Sequence, residues 1–174
     1  MNLAIDIYYH DKGATCVGVL FSPTAVGGKM EEIVKVITAF LDEVEEYVPG
    51  EFYKRELPCA MAVIYQVKQY KVDCIILDSH VQLGEGQKGL GEYVYEAVGE
   101  MYPIIGVAKR CFYSNAEYVR EVRRGESENP LYVSALGCDL DEAAEYIQQM
   151  HGEYRIPTIL KEVDRLGRDF GTSA

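Results

Sequence analysis

Residues 72–77, Val-Asp-Cys-Ile-Ile-Leu, form a near-continuous apolar run that ends at Asp78 and gives way to a glycine-rich stretch, Ser79–Gly91. Such a run reads as a strand buried on both faces, the kind found in parallel sheets, and such a sheet needs helices over it. The rest of the chain supplies them. Residues 3–9 and 14–22 are rich in β-branched and aromatic side chains, and His10-Asp11-Lys12-Gly13 between them reads as a hairpin turn. Arg55–Tyr70 follows helical spacing, with Pro58 fitting only near its start. Glu92–Met101 reads as a short helix, Pro103–Ala108 as a further strand, and Tyr113–Gly125 as charged and partly helical. Leu131–Ser134 reads as the last strand, followed by a helix over Asp141–His151 and a helical tail over Tyr154–Asp169. Pro23–Gly28 reads as a loop. Residues 30–46 fit two descriptions: Ile33, Val34, Ile37, Phe40, Leu41 and Val44 keep helical spacing, while Ile33–Ile37 suits a third strand. Periodicity favours helix there. The expected fold is α/β, one domain over residues 1–174, with a mixed sheet flanked by helices: antiparallel N-terminal strands, then parallel ones.

Composition narrows the function. The net charge of −11 argues against a protein that coats nucleic acid non-specifically, since that work needs a positive surface. No apolar run reaches the length of a membrane span, and the opening Met-Asn-Leu-Ala-Ile-Asp lacks a basic segment, so a cytoplasmic protein without a membrane partner is expected. The five cysteines, Cys16, Cys59, Cys74, Cys111 and Cys138, lack metal-type spacing and read as buried free thiols.

Three acids stand out. Asp6 lies between Ile5 and Ile7 in an otherwise apolar strand, and Asp78 ends the most hydrophobic run, at the carboxyl edge where open α/β sheets place ligands. Either one alone also fits a solvated strand end or a cap. Glu56 follows a stiff corner, Tyr47-Val48-Pro49-Gly50, where proline fixes its own φ, restricts Val48 and leaves glycine to turn. If the three meet, they suit a hard divalent cation, which would relieve their mutual repulsion.

These residues and others in order give the chain a resemblance. Ile5-Asp6-Ile7-x-Tyr9, Tyr47-Val48-Pro49-Gly50 with Arg55-Glu56, Leu77-Asp78-Ser79-His80, Ile104–Lys109, Val133-Ser134 and Tyr154–Pro157 with Asp164 resemble the endonuclease V family. That family consists of metal-dependent nucleases with an RNase H-like fold that cut near deaminated adenine. The resemblance implies a third antiparallel strand over 31–38, against the helical reading, and leaves 39–46 unassigned. It makes Asp6, Glu56 and Asp78 the metal-binding and catalytic carboxylates, for Mg2+ with Mn2+ able to substitute. Asp164 falls at a fourth position near the metal, where a solvated helix acid is the alternative. Lys109 is placed to support a phosphate oxygen. Tyr47, Val48, Pro49 and Gly50 match the wedge that enters the duplex beside the lesion, and Ser79 and His80 the lesion loop. Tyr47 packing on its own turn, and a loop His80 without chemistry, are the alternatives. The expected partner is inosine-containing DNA or RNA, bound by a monomer.

The chain departs from the family after Asp78. The usual second histidine and Pro-Arg pair are absent from Val81–Lys88, which carries Glu85 instead, and Ser79 stands for a glycine. Repulsion between Glu85 and a polyanion opposes base recognition. A second reading therefore stands beside the first: a catalytically altered relative that binds nucleic acid, a nucleotide or a protein partner. A small-molecule phosphohydrolase is a third, which leaves the Tyr-x-Pro-Gly corner without a task.

Overall fold

Hairpin pairing begins the molecule. In the computed structural model, which describes residues 1–23, 29–42, 46, 48, 49 and 51–173, strand β1 (Asn2–His10) turns through Asp11 and Lys12 into β2 (Gly13–Ser22), with His10 opposite Gly13. The expected loop at Pro23–Gly28 lies outside the described residues beyond Pro23, as do Tyr47 and Gly50 of the corner. Strand β3 (Glu32–Leu41) pairs antiparallel with β2, so the helical reading of this region is corrected and the strand runs past residue 38. The reason lies in pairing. The long β2 has a free edge whose N–H and C=O groups need partners, and the β-branched run Ile33–Thr38 supplies them while burying Ile37.

Helix α1 (Phe52–Ile64), prolonged by a 3-10 turn at Tyr65–Val67, starts three residues before the expected Arg55. Pro58 is therefore inside the helix rather than at its start, with its ring in solvent. Strand β4 (Cys74–Leu77) follows, parallel to β1 with Ile5 opposite Leu77. The glycine-rich stretch is more than a loop: it folds a small hairpin, β5 (Gln82–Gly84) with β6 (Gln87–Lys88), before α2 (Leu90–Ala97). Strand β7 (Ile104–Ala108) is parallel to β4. Tyr113–Tyr118 is a kinked 3-10 segment and leads to β8 (Arg120–Val122), a strand that the sequence pattern does not announce, then β9 (Leu131–Leu136). Helices α3 (Leu140–Gln149) and α4 (Thr158–Ser173) close the chain.

The seven-stranded sheet has the order β3-β2-β1-β4-β7-β9-β8. Its parallel block, β1-β4-β7, lies between antiparallel flanks, since β9 runs antiparallel to both β7 and β8. Strand alternation sends one set of side chains to each face. Leu3, Ile5, Leu20, Ile75 and Leu77 pack with Ala60 and Val63 of α1 and Val94 of α2. Ala4, Val17, Phe21, Ile76 and Val133 pack with Ile147 of α3 and Ile159 and Val163 of α4. Of the cysteines only Cys16 and Cys59 are buried; Cys111 and Cys138 are exposed, correcting the reading of all five as buried. Among the described residues no helix is long and apolar enough to cross a membrane.

Two local devices fix α4 over the sheet. The nearly buried Arg124 donates to the carbonyls of Gln148, Met150, Gly152, Tyr154 and Arg155, gathering the α3–α4 turn around one guanidinium. Gly171 lets the helix lie directly on Tyr8, whose Cδ1 would be 2.2 Å from an added Cβ.

Candidate active site

Strand geometry brings the acids to one end of the parallel block. On β1, Ile5 faces the α1–α2 layer and Ala4 the α3–α4 layer, so Asp6 shares the face of Ala4 and looks towards α4. Its Oδ2 is 3.8 Å from where a Cβ on Gly167 would stand. Asp78 follows β4 directly, and Lys109 follows β7 directly, so neighbouring parallel strands deliver an acid and a base side by side. The Lys109 ammonium is 2.6 Å from Asp78 Oδ2. Asp164 enters from α4 and pairs with Arg168 one turn on. Asp6, Asp78, Lys109 and Asp164 line a common cavity.

Glu56 approaches from α1, together with Ser79 and His80, in a neighbouring depression of about 130 Å³. Arg55 beside it covers the Tyr9 ring at 3.6 Å. Tyr9 Oη and Arg55 Nε are buried there without hydrogen-bond partners among the described residues.

The carboxylates feel one another. Burial pushes the Asp6 carboxyl up to about 6, and the charges of Asp78 and then Asp164 push the same way, against a hydrogen bond from the Ile7 N–H. Burial also raises Glu56; Arg55 opposes this, while Asp78 and Asp6 reinforce it. Glu56 in turn adds to the effect of burial in raising the Tyr9 hydroxyl. Burial opposes the charge on Lys109, but the bond and field of Asp78 outweigh it and the ammonium is held above its ordinary range. Asp6 and Asp78 thus belong to both groups, with Asp164 on one side and Glu56 on the other.

Among the described residues no three His, Cys, Asp or Glu side chains already enclose a common point at metal-holding distances. The donor set nonetheless fits a hard divalent cation. It consists of carboxylate oxygens, Mg2+ needs only one or two of them, and the burial that raises Asp6, with the charges of Asp78 and Asp164 added to it, is a cost that a cation would offset.

His80 is held at both ring nitrogens: Nε2–H donates to the Arg110 carbonyl at 2.9 Å, and Nδ1 accepts from the Asn115 amide at 3.0 Å. Burial lowers its pKa, which favours this neutral ring. Asn115, fully buried, also donates to the Gln82 carbonyl at 2.8 Å. Ser134 Oγ accepts from Val81 N–H at 2.9 Å, and Gly106 admits the loop, since a Cβ there would be 2.4 Å from the Ser79 carbonyl. Val48 and Pro49 of the corner are exposed, and the Glu51 N–H closes the turn on the Val48 carbonyl.

Sequence reasoning missed Asn115, which nothing in its charged surroundings singled out. It also missed the walls of the smaller depression: Phe52, Tyr53, Leu83, Lys88 and Leu90. Tyr53 stacks on Tyr93 of α2 with ring centroids 3.8 Å apart, and Lys88 stands over Tyr93. The aromatic pair Phe52-Tyr53, next to the proline corner, was the available signal.

The endonuclease V family model matches residues 3–165. This chain belongs to the endonuclease V family. Solved endonuclease V structures share its fold. That of Ciona intestinalis, in complex with a 24-mer DNA containing an inosine followed by a ribo-adenosine, is 17% identical with a TM-score of 0.79, covering 98% of this chain and 85% of that one. Endonuclease V of Bacillus subtilis is 17% identical with a TM-score of 0.76, covering 99% and 80%. The human endonuclease V structure is 16% identical with a TM-score of 0.74, covering 98% and 84%. No curated protein matches the chain in sequence.

Proposed function

We propose that this protein is a metal-dependent endonuclease that hydrolyses a phosphodiester bond near deaminated adenine in DNA or RNA. The observation that carries the proposal is that Asp6 and Asp78, from adjacent parallel strands, line one cavity with Asp164 and Lys109, while Glu56 of α1 lies in the neighbouring depression. Membership of the endonuclease V family and the inosine-containing DNA in the Ciona complex support the substrate class.

Asp6, Glu56 and Asp78 would hold Mg2+ or Mn2+, with Asp164 at the side. The cation supplies charge withdrawal from the phosphate and a more acidic water. The protein's own groups do the rest. Lys109, already oriented by Asp78, offers its ammonium to the charge that develops on a phosphate oxygen. The smaller depression, lined by Phe52, Tyr53, Ser79, His80 and Leu90, suits a flat base turned out of its stack. His80, with both nitrogens engaged, shapes that wall and moves no proton. Tyr47 with Val48, Pro49 and Gly50 would fill the gap the base leaves.

Labelled inosine oligonucleotides of DNA and of RNA, incubated with Mg2+, test the reading. Cleavage by the parent protein and none by Asp6→Asn is expected, and no Asp6-dependent cleavage of either strand type refutes it. The second reading, a non-catalytic relative that binds through the same cleft, is favoured by Glu85, which sits at the turn of the β5–β6 hairpin beside the depression. Calorimetry with Mn2+ separates the two: the nuclease binds the ion and loses it in Asp78→Asn, whereas the altered relative binds none.

A further inference from the structure

A cavity of about 370 Å³ lies between α4 and the sheet, and the proposed reaction uses only its mouth. Its floor is Ala4, Ile76, Val107 and Leu131, each no more than 4% exposed, and Leu160 and Val163 of α4 form its roof. The interior is apolar, of a size typical of small-molecule sites, and more than twice the ~150 Å³ apolar cavity known to take up benzene. A phosphodiester gains nothing from such surface.

The mouth carries three carboxylates, Asp6, Asp78 and Asp164, and three cations, of which Lys109 is paired with Asp78 and Arg168 with Asp164. The third, Lys161, lies 4.6 Å from the centroid of the Tyr154 ring and has no carboxylate partner among the described residues. An apolar chamber lined by one lysine that has no carboxylate partner among the described residues matches a molecule with a slim hydrocarbon body and a single negative head.

We propose that this chamber binds an amphipathic monoanion, with a hydrocarbon body of about ten carbons among Ala4, Ile76, Val107 and Leu160 and a carboxylate head at Lys161. The body gains by leaving water, and the head keeps its charge at the solvent rim.

Titration calorimetry of the full chain with hexanoate, octanoate, decanoate, decanol and acetate, in chelator and without nucleic acid, tests the site. Decanoate should bind at one per chain, each added methylene should tighten binding about fourfold, and acetate should not bind. Lys161→Glu should weaken decanoate about tenfold and leave decanol unchanged. Leu160→Trp, which narrows the chamber, should weaken both. No saturable decanoate binding by the folded parent overturns the proposal, as does binding that neither variant alters, which would mean adsorption elsewhere. If Leu160→Trp does not fold, the exposed Lys161→Glu still decides. With no metal or nucleic acid in the cell, failure here leaves the nuclease reading standing, and failure of that reading leaves this one.

Discussion

Replacing Asp6 with asparagine should make the metal-free protein more stable at neutral pH. The folded protein holds the Asp6 carboxyl at about 6, where an unfolded chain titrates at 3.8. Between those values the folded state keeps a proton that the unfolded state has released, so stability falls as pH rises through the window and stays at the lower level above it. The difference corresponds to roughly 3 kcal/mol. Asn at this position has no charge to desolvate and none to oppose Asp78 and Asp164, but its amide needs hydrogen-bond partners of its own, which brings the expected gain to about 2 kcal/mol. Urea denaturation in chelator reads it directly: a gain of about 2 kcal/mol near pH 8, shrinking towards zero near pH 4. Added Mg2+ should reverse the order, stabilising the parent in proportion to its occupancy and the variant hardly at all. Destabilisation by Asp6→Asn near pH 8, or an equal gain at both pH values, would show that Asp6 is not under the strain assigned to it.

Four further outcomes follow from the same geometry. Glu56→Gln and Asp78→Asn should each lower inosine-dependent cleavage at least ~100-fold, and Lys109→Met should lower kcat about tenfold or more with KM little changed, measured under single-turnover and steady-state conditions. Asn115→Ala leaves the His80 ring and the Gln82 carbonyl without their donor in a buried site, so it should destabilise by about 2 kcal/mol in chemical denaturation. Gly167→Ala and Gly171→Ala should act with opposite signs on the melting temperature. The first meets Tyr8 and Asp6 at ordinary contact distances of 3.6 and 3.8 Å and gains up to ~1 kcal/mol of helix propensity, while the second drives a methyl into the Tyr8 ring and loses about 1–2 kcal/mol.

Period-two runs and apolar strands are readable because each side chain in them reports its own burial. Asp6 and Asp78 are conspicuous for the same reason: a carboxylate in or at the end of such a run is costly unless a partner or a cation meets it. Residues 30–46 mislead when read from periodicity alone because Ile33, Ile37 and Phe40 satisfy a helical spacing, and only pairing with β2, a contact distant in sequence, selects the strand. The short β8 and the β5–β6 hairpin are likewise products of tertiary pairing. At the site, the sequence points to Glu56 and Lys109 through the family's motif order. It does not show that both nitrogens of His80 are occupied, because the donor comes from Asn115, 35 residues away. The chamber behind the acids is invisible in sequence for a related reason, since a void is defined by several elements and encoded by none.

The contact between Lys109 and Asp78 gives the protein a resident counter-ion of its own. A divalent cation held by Asp78, as proposed, would have to compete with an ammonium that is tethered to the neighbouring strand and cannot leave. Released from Asp78, that ammonium would remain at the same edge of the sheet, so loading the site would also free Lys109 for a phosphate.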